Sequence, residues 1–176
     1  MVKRLEELLA SHGGKYERIE HPEAFTAQEE AAAAGISGWE WAKVVIVRER
    51  EGLAMAVLPA CCAVEMDRLK GLIGRGEVKL ASVEETLEAF PGCAVGAMPP
   101  FGRLFGMRTF VEEALVNQRD ITMPTGDRRR AIRMRATEYL RLAEPQRGQF
   151  AVHDAQTFPV HPKPRRAVRP GAGGTR

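Results

Sequence analysis

Cysteine and histidine are scarce in this chain, and what there is of them is badly spaced for chemistry. The three cysteines are Cys61, Cys62 and Cys93, an odd number with two adjacent in sequence and no C-x-x-C pair. That pattern excludes a disulfide framework and points to a reducing cytoplasm. The four histidines, His12, His21, His153 and His161, are scattered, so no metal site is expected. Nor is there an apolar run of membrane-spanning length. Val2 to Leu9 mixes apolar and charged residues as an amphipathic helix does, whereas a signal peptide needs an unbroken apolar core; secretion is not expected.

At 176 residues the chain suits one well-buried domain and is short for two. Its net charge of +3 conceals an asymmetry. From Pro145 onward, Arg147, Lys163, Arg165, Arg166, Arg169 and Arg176 are opposed by Asp154 alone. The same stretch carries Pro145, Pro159, Pro162, Pro164 and Pro170, then Gly171 to Gly174. Such a composition buries too little apolar surface to fold alone, which predicts a folded domain over 1–144 and a disordered basic tail over 145–176. The tail reads equally as an arm attracted to a phosphate backbone or as a solvated terminus.

Along the chain, Leu5, Leu8 and Leu9 predict a helix stopped at Gly13-Gly14, and Tyr16 to Glu20 a short strand. Thr26-Ala27-Gln28-Glu29 reads as a capping box opening a helix that ends at Gly35. Val44 to Val47 is a β-branched run typical of a buried strand. It is joined through Glu49 to Gly52 to a second apolar strand, Leu53 to Leu58, as a hairpin. Met66, Leu69, Leu72 and Ile73 mark an amphipathic helix closed by Gly74 or Gly76, and Val78 to Leu80 a strand. Ser82-Val83-Glu84-Glu85 is a second capping box, for a helix stopping before Pro91. Strands follow at 109–111, 120–123 and 131–134, then a helix at 137–142. Strands both in hairpins and separated by helices predict a single mixed α/β domain with a curved, mostly antiparallel mixed sheet flanked by helices.

Gly96-Ala97-Met98-Pro99-Pro100-Phe101-Gly102 makes two opposed demands on the backbone. The prolines fix φ and push their predecessors away from helix, while the flanking glycines permit conformations closed to other residues. A stiff extended loop results, whose Gly96, Ala97 and Met98 N–H groups can point at a carbonyl or oxyanion. A plain surface turn is the alternative.

Taken in order, these residues resemble the YbaK-type aminoacyl-tRNA deacylases, which include the editing insertion of bacterial prolyl-tRNA synthetase. The likeness rests on His21 followed by Thr26 to Ala32, on Ala42-Lys43 opening an apolar strand with Leu53 to Leu58 as its partner, on the Gly-x-x-Pro-Pro-x-Gly loop, and on Gly126 late in the chain. It covers roughly residues 1 to 144. The resemblance implies hydrolysis in trans of the ester of a mischarged tRNA, without metal or organic cofactor. It makes aminoacyl-tRNA the partner, with an aminoacyl-tRNA synthetase as a possible second. The lysine equivalent to Lys43 is important for activity in the family, and the glycine equivalent to Gly96 belongs to its catalytic loop.

The residues suit that chemistry. An aminoacyl ester is already activated, so holding its carbonyl and stabilising the oxyanion suffices, and one preorganised donor contributes about 3 kcal/mol. The donors expected are the Gly96, Ala97 and Met98 amides, with water or a substrate group as nucleophile; Cys93 lacks an activating neighbour and reads as structural. Lys43 anchors phosphate or sugar, or else snorkels from a strand entry. Thr26 and His21 are substrate-contact candidates whose plain roles are helix cap and structural hydrogen-bonder. Pro99, Pro100, Phe101 and Gly126 complete the substrate set, with Phe101 and Met98 either lining the pocket or packing beneath it. Arg128, Arg129, Arg130 and Arg133 are the tRNA-backbone candidates; on a strand, Arg129, Arg133 and Arg135 would share a face. The alternative is a solvated edge strand.

Overall fold

Both capping boxes form. The Thr26 hydroxyl accepts from the Glu29 amide at 3.2 Å while the Glu29 carboxylate returns to the Thr26 amide, also at 3.2 Å, and Ser82 and Glu85 repeat the exchange at 3.1 and 2.8 Å. Each box satisfies donors that a helix start otherwise leaves open. The computed structural model describes residues 1–74 and 76–154. Its helices are α1 (Lys3–Ser11), α2 (Ala27–Ala33), α3 (Met66–Ile73), α4 (Val83–Ala89), α5 (Glu113–Val116) and α6 (Ala136–Ala143), with a 3-10 turn at Gly102–Phe105. Its strands are β1 (Glu17–Glu20), β2 (Ala42–Glu49), β3 (Gly52–Pro59), β4 (Cys62–Val64), β5 (Lys79–Leu80), β6 (Arg108–Glu112), β7 (Asp120–Pro124), β8 (Arg130–Arg135), β9 (Gln146–Gly148) and β10 (Ala151–His153).

The predicted hairpin is β2–β3, antiparallel with Ala42 opposite Pro59 and Glu49 opposite Gly52. It lies at the centre of a five-stranded sheet in the order β5-β2-β3-β6-β9, in which β3–β6 and β6–β9 pair in parallel. A second, antiparallel sheet runs β1-β8-β7. A bridge between Trp41 and Thr122 ties the two together. The expected mixed α/β domain with a mixed sheet and flanking helices is therefore what forms. Leu5, Leu8 and Leu9 of α1 and Tyr139 and Leu142 of α6 pack with Ile46, Met55 and Val57 on one face of the large sheet. Val47, Leu58, Leu69, Phe110 and Phe150 fill the other.

One boundary moves. The chain folds past residue 144: β9 extends the large sheet, β10 pairs antiparallel with β4, and Phe150 between them is fully buried. Composition alone concealed this, because what orders 145–154 is hydrogen-bond partners elsewhere in the chain. Glu112 Oε2 receives the Phe150 and Ala151 amides at 2.6 and 2.7 Å, and the Glu65 amide donates to the Phe150 carbonyl at 2.7 Å. The rest of the expected tail, 155–176, lies outside the described residues.

Candidate functional site

The Gly96 loop and the turn after β7 are knitted together. The Ala94 amide donates to the Gly126 carbonyl at 2.9 Å, and the Gly126 amide to the Ala97 carbonyl at 2.8 Å. Gly126 has φ +107°, and a Cβ there would stand 2.5 Å from Val2 Cγ1, so both conformation and space call for glycine. Gly96, at φ +87°, packs against the Phe25 carbonyl at the start of α2. Capping box, Gly96 loop and Gly126 turn thus meet at one place, beside an open depression of about 740 Å³ lined by His21, Ala94, Asp127, Arg128 and Arg129.

Within the loop the expected donors separate. The Ala97 amide is taken, donating to Ala94 at 3.0 Å. This corrects the expectation for Ala97: the turn that presents Gly96 consumes its neighbour's N–H. The Gly96 and Met98 amides have no acceptor among the described residues. Met98 and Phe101 pack beneath the loop in the core rather than lining the depression, and Pro99 and Pro100 are buried with them. Tyr139 holds the loop from below, its hydroxyl donating to the Pro100 carbonyl at 2.9 Å.

His21 is buried, with Nδ1 2.8 Å from the Pro22 carbonyl. A carbonyl only accepts, so Nδ1 carries the proton. The ring meets the Trp41 indole edge-on, centroids 5.5 Å apart. Next to Trp41 stands Glu30, which the sequence reading passed over. It is 2% exposed, and neither its Oε2 nor the Trp41 Nε1 has a hydrogen-bond partner among the described residues. Burial pushes the Glu30 carboxyl up to about 7, against the opposing pull of the nearby indole N–H and of the Arg128 charge. A clue was available: on a short helix capped at Thr26, position 30 shares the inward face with Ala27 and Ala31.

Lys43 stands apart. Its ammonium donates to the Cys62 carbonyl, with Cys61 and Asp154 as its other electrostatic neighbours. It makes no hydrogen bond or ion pair to the Gly96 loop among the described residues. Half-burial lowers its pKa. The same physics disfavours the thiolates: burial pushes Cys61 up to about 12 and raises Cys62 and Cys93.

The arginine run does not present a bare cationic face. Arg129 pairs with Glu23 at 2.9 Å, Arg130 with Asp127 at 2.8 Å, and Arg133 with Glu40 and Asp120 at 3.2 and 3.5 Å. Arg133 and Arg135 share a face of β8, as expected, but Arg129 precedes the strand. Arg128 differs from its neighbours. It forms no carboxylate ion pair among the described residues, and its Cζ lies 4.5 Å from the centroid of the Phe25 ring. No cluster of three or more His, Cys, Asp or Glu side chains fit to hold a metal occurs among the described residues, and no helix there is long and apolar enough to cross a membrane.

Comparison with known proteins fits this geometry. Residues 21–142 match the sequence model of the aminoacyl-tRNA editing domain, a span running from His21 through the Gly96 loop to α6. Among solved structures, the hypothetical protein APE2540 superposes with a TM-score of 0.76 at 22% identity, covering 85% of this chain and all (100%) of that one. A proposed trans-editing enzyme for prolyl-tRNA synthetase superposes with a TM-score of 0.74 at 24% identity, covering 84% of this chain and 94% of its own. At these identities the likeness is one of fold. No curated protein matches the sequence.

Proposed function

Because the chain belongs to the aminoacyl-tRNA editing domain family, we propose that it acts in trans as a deacylase, hydrolysing the ester between a wrongly attached amino acid and the 3′-terminal adenosine of a tRNA. One observation carries the mechanistic reading. Two amides without acceptors among the described residues, those of Gly96 and Met98, flank a carbonyl-bound Ala97 on a loop stiffened by Pro99-Pro100. Donors preorganised in this way stabilise charge as it develops on the ester oxygen, without reorganising during the reaction. With the thiols held protonated by burial, water or a hydroxyl of the substrate serves as nucleophile.

In this reading Lys43 anchors the acceptor end by exchanging the Cys62 carbonyl for a phosphate or ribose oxygen. A half-buried ammonium is poorly solvated and gains more from an anionic partner than an exposed one would. His21 lines the depression with Arg128 to Arg130, which lie where the RNA backbone would approach; Thr26, at the cap of the neighbouring helix, and Arg133 on β8 extend the substrate-facing set. Aminoacyl-tRNA is the substrate, and an aminoacyl-tRNA synthetase the source of the mischarged product.

The test is deacylation of cysteinyl-, alanyl- and seryl-tRNA by wild type, Gly96→Ala and Lys43→Ala. Release of one amino acid by wild type and its loss in both variants, with tRNA binding retained, is the expected result. Binding without release from any of the three substrates would favour a non-catalytic tRNA- or synthetase-docking module.

A further inference from the structure

Phe25 is 62% exposed, immediately before the cap of α2, with its own carbonyl against Gly96. Arg128 lies over this ring and donates from Nη2 to the Val95 carbonyl at 3.4 Å, while its Nε is buried without a partner among the described residues. Val95, adjacent to Gly96, is also exposed. An aromatic ring and an aliphatic flank thus meet at Arg128, which lines the depression and forms no carboxylate ion pair among the described residues, close to the Gly96 loop. Leaving an aromatic ring in water is unfavourable, and the patch is too small to seat a protein. Aromatic rings and guanidinium planes are, however, the surfaces on which unpaired bases stack, because every base presents a π-face.

We propose that Phe25, backed by Arg128 and flanked by Val95, is the platform on which the base of the RNA's 3′-terminal nucleotide stacks. This assignment rests on the deacylase reading and adds to it the residues that hold the leaving nucleoside. Stacking there sets the terminal ribose beside Gly96, where the ester has to lie for the free amides to reach it. The neighbouring arginines are paired with Glu23 and Asp127, whereas Arg128 stacks behind the Phe25 ring and supports it from the side away from the base.

The test uses an uncharged RNA minihelix whose terminal base is 2-aminopurine, titrated with the full chain at fixed salt, so that fluorescence quenching reports stacking without any turnover. Wild type is expected to quench, and Phe25→Ala to lose the quench and bind about tenfold more weakly, the scale of one stacked base. Phe25→Trp should restore both. With an abasic terminus, wild type and Phe25→Ala should bind alike. Because the side chain is exposed, an unchanged urea midpoint is expected for each variant. Equal binding of wild type and Phe25→Ala to the purine-ended RNA would overturn the platform, as would tighter discrimination by Phe25 on the abasic RNA. Free adenosine monophosphate bound as tightly as the minihelix would overturn the assignment to an RNA end. A wild type that quenches yet releases no amino acid would refute the deacylase reading and leave the platform standing.

Discussion

The hydroxyl of Tyr139, a residue wholly buried on α6, donates to the main-chain carbonyl of Pro100 at 2.9 Å, and the Phe101 ring meets the Tyr139 ring edge-on at 5.5 Å. The pair fixes the depth of the Gly96 loop relative to the core. Tyr139→Phe preserves the packing and removes the donor, leaving a buried carbonyl unsatisfied. The expected cost is about 1–2 kcal/mol in urea unfolding, with a fall in deacylation kcat larger than any rise in KM, because the loop amides lose their support.

Glu30 makes stability depend on pH in a direction opposite to that of a paired carboxylate. Its folded-state pKa, about 7, lies above the ordinary value of 4.5, so the folded chain holds a proton that the unfolded chain has released. Stability should therefore fall as pH rises from 4.5 to 7 and stay low above that, by about 3 kcal/mol in all. Glu30→Gln should remove this slope, being nearly neutral at pH 4.5 and stabilising at pH 8. Urea midpoints at the two pH values decide it; a slope unchanged in the variant would refute it.

Gly96 and Gly102 bound the same loop, yet their alanine variants should fail differently. At Gly96 the positive φ makes any side chain strained by about 1–2 kcal/mol, but its new Cβ would meet only the Phe25 carbonyl, at 3.4 Å. The fold should survive while deacylation drops at least tenfold. At Gly102 a Cβ would collide with Thr109 Oγ1 and stand 2.8 Å from the Met107 carbonyl, in a spot where the Gly102 amide also donates to that threonine. Gly102→Ala should lower the thermal midpoint steeply or prevent folding; circular dichroism melts of the two variants separate the cases.

Truncation after Glu144 should be severe. It removes Phe150 from the core, and losing a buried aromatic typically costs about 3–5 kcal/mol. It also leaves the Glu112 carboxylate buried without the two amides it now receives. Urea unfolding of residues 1–144 beside the full chain measures the loss, and equal midpoints would show these strands to be dispensable.

What the sequence revealed was what short-range chemistry decides. Thr26 with Glu29 and Ser82 with Glu85 announce helix starts three residues ahead, and a β-branched run followed by a glycine turn announces β2–β3. What it hid depends on partners far along the chain. Nothing in Gln146-Arg147-Gly148 predicts pairing with β6, since the signal lies in β6's open edge. Glu30 looked like one more polar residue on an alanine-rich helix, until Trp41 and Arg128 arrived from two other elements to enclose it. For the loop, proline and glycine spacing predicted stiffness, but which amide would stay free depended on the Ala94 carbonyl, beyond the motif itself. The arginine run was equally opaque, because its carboxylate partners Glu23, Glu40 and Asp120 are scattered over the chain.

The parallel joins of β3 to β6 and of β6 to β9 bear on how the polypeptide is made. Residues 146–153 leave the ribosome after every strand they complete, so a nascent chain that has emerged only as far as α6 exposes the edge of β6 and an unfilled seat for Phe150. Pairings between segments so distant in sequence form slowly, and unpaired edges on unfinished chains are where aggregation begins. Chains released at residue 144 should therefore aggregate on synthesis and give a lower soluble yield than the full chain.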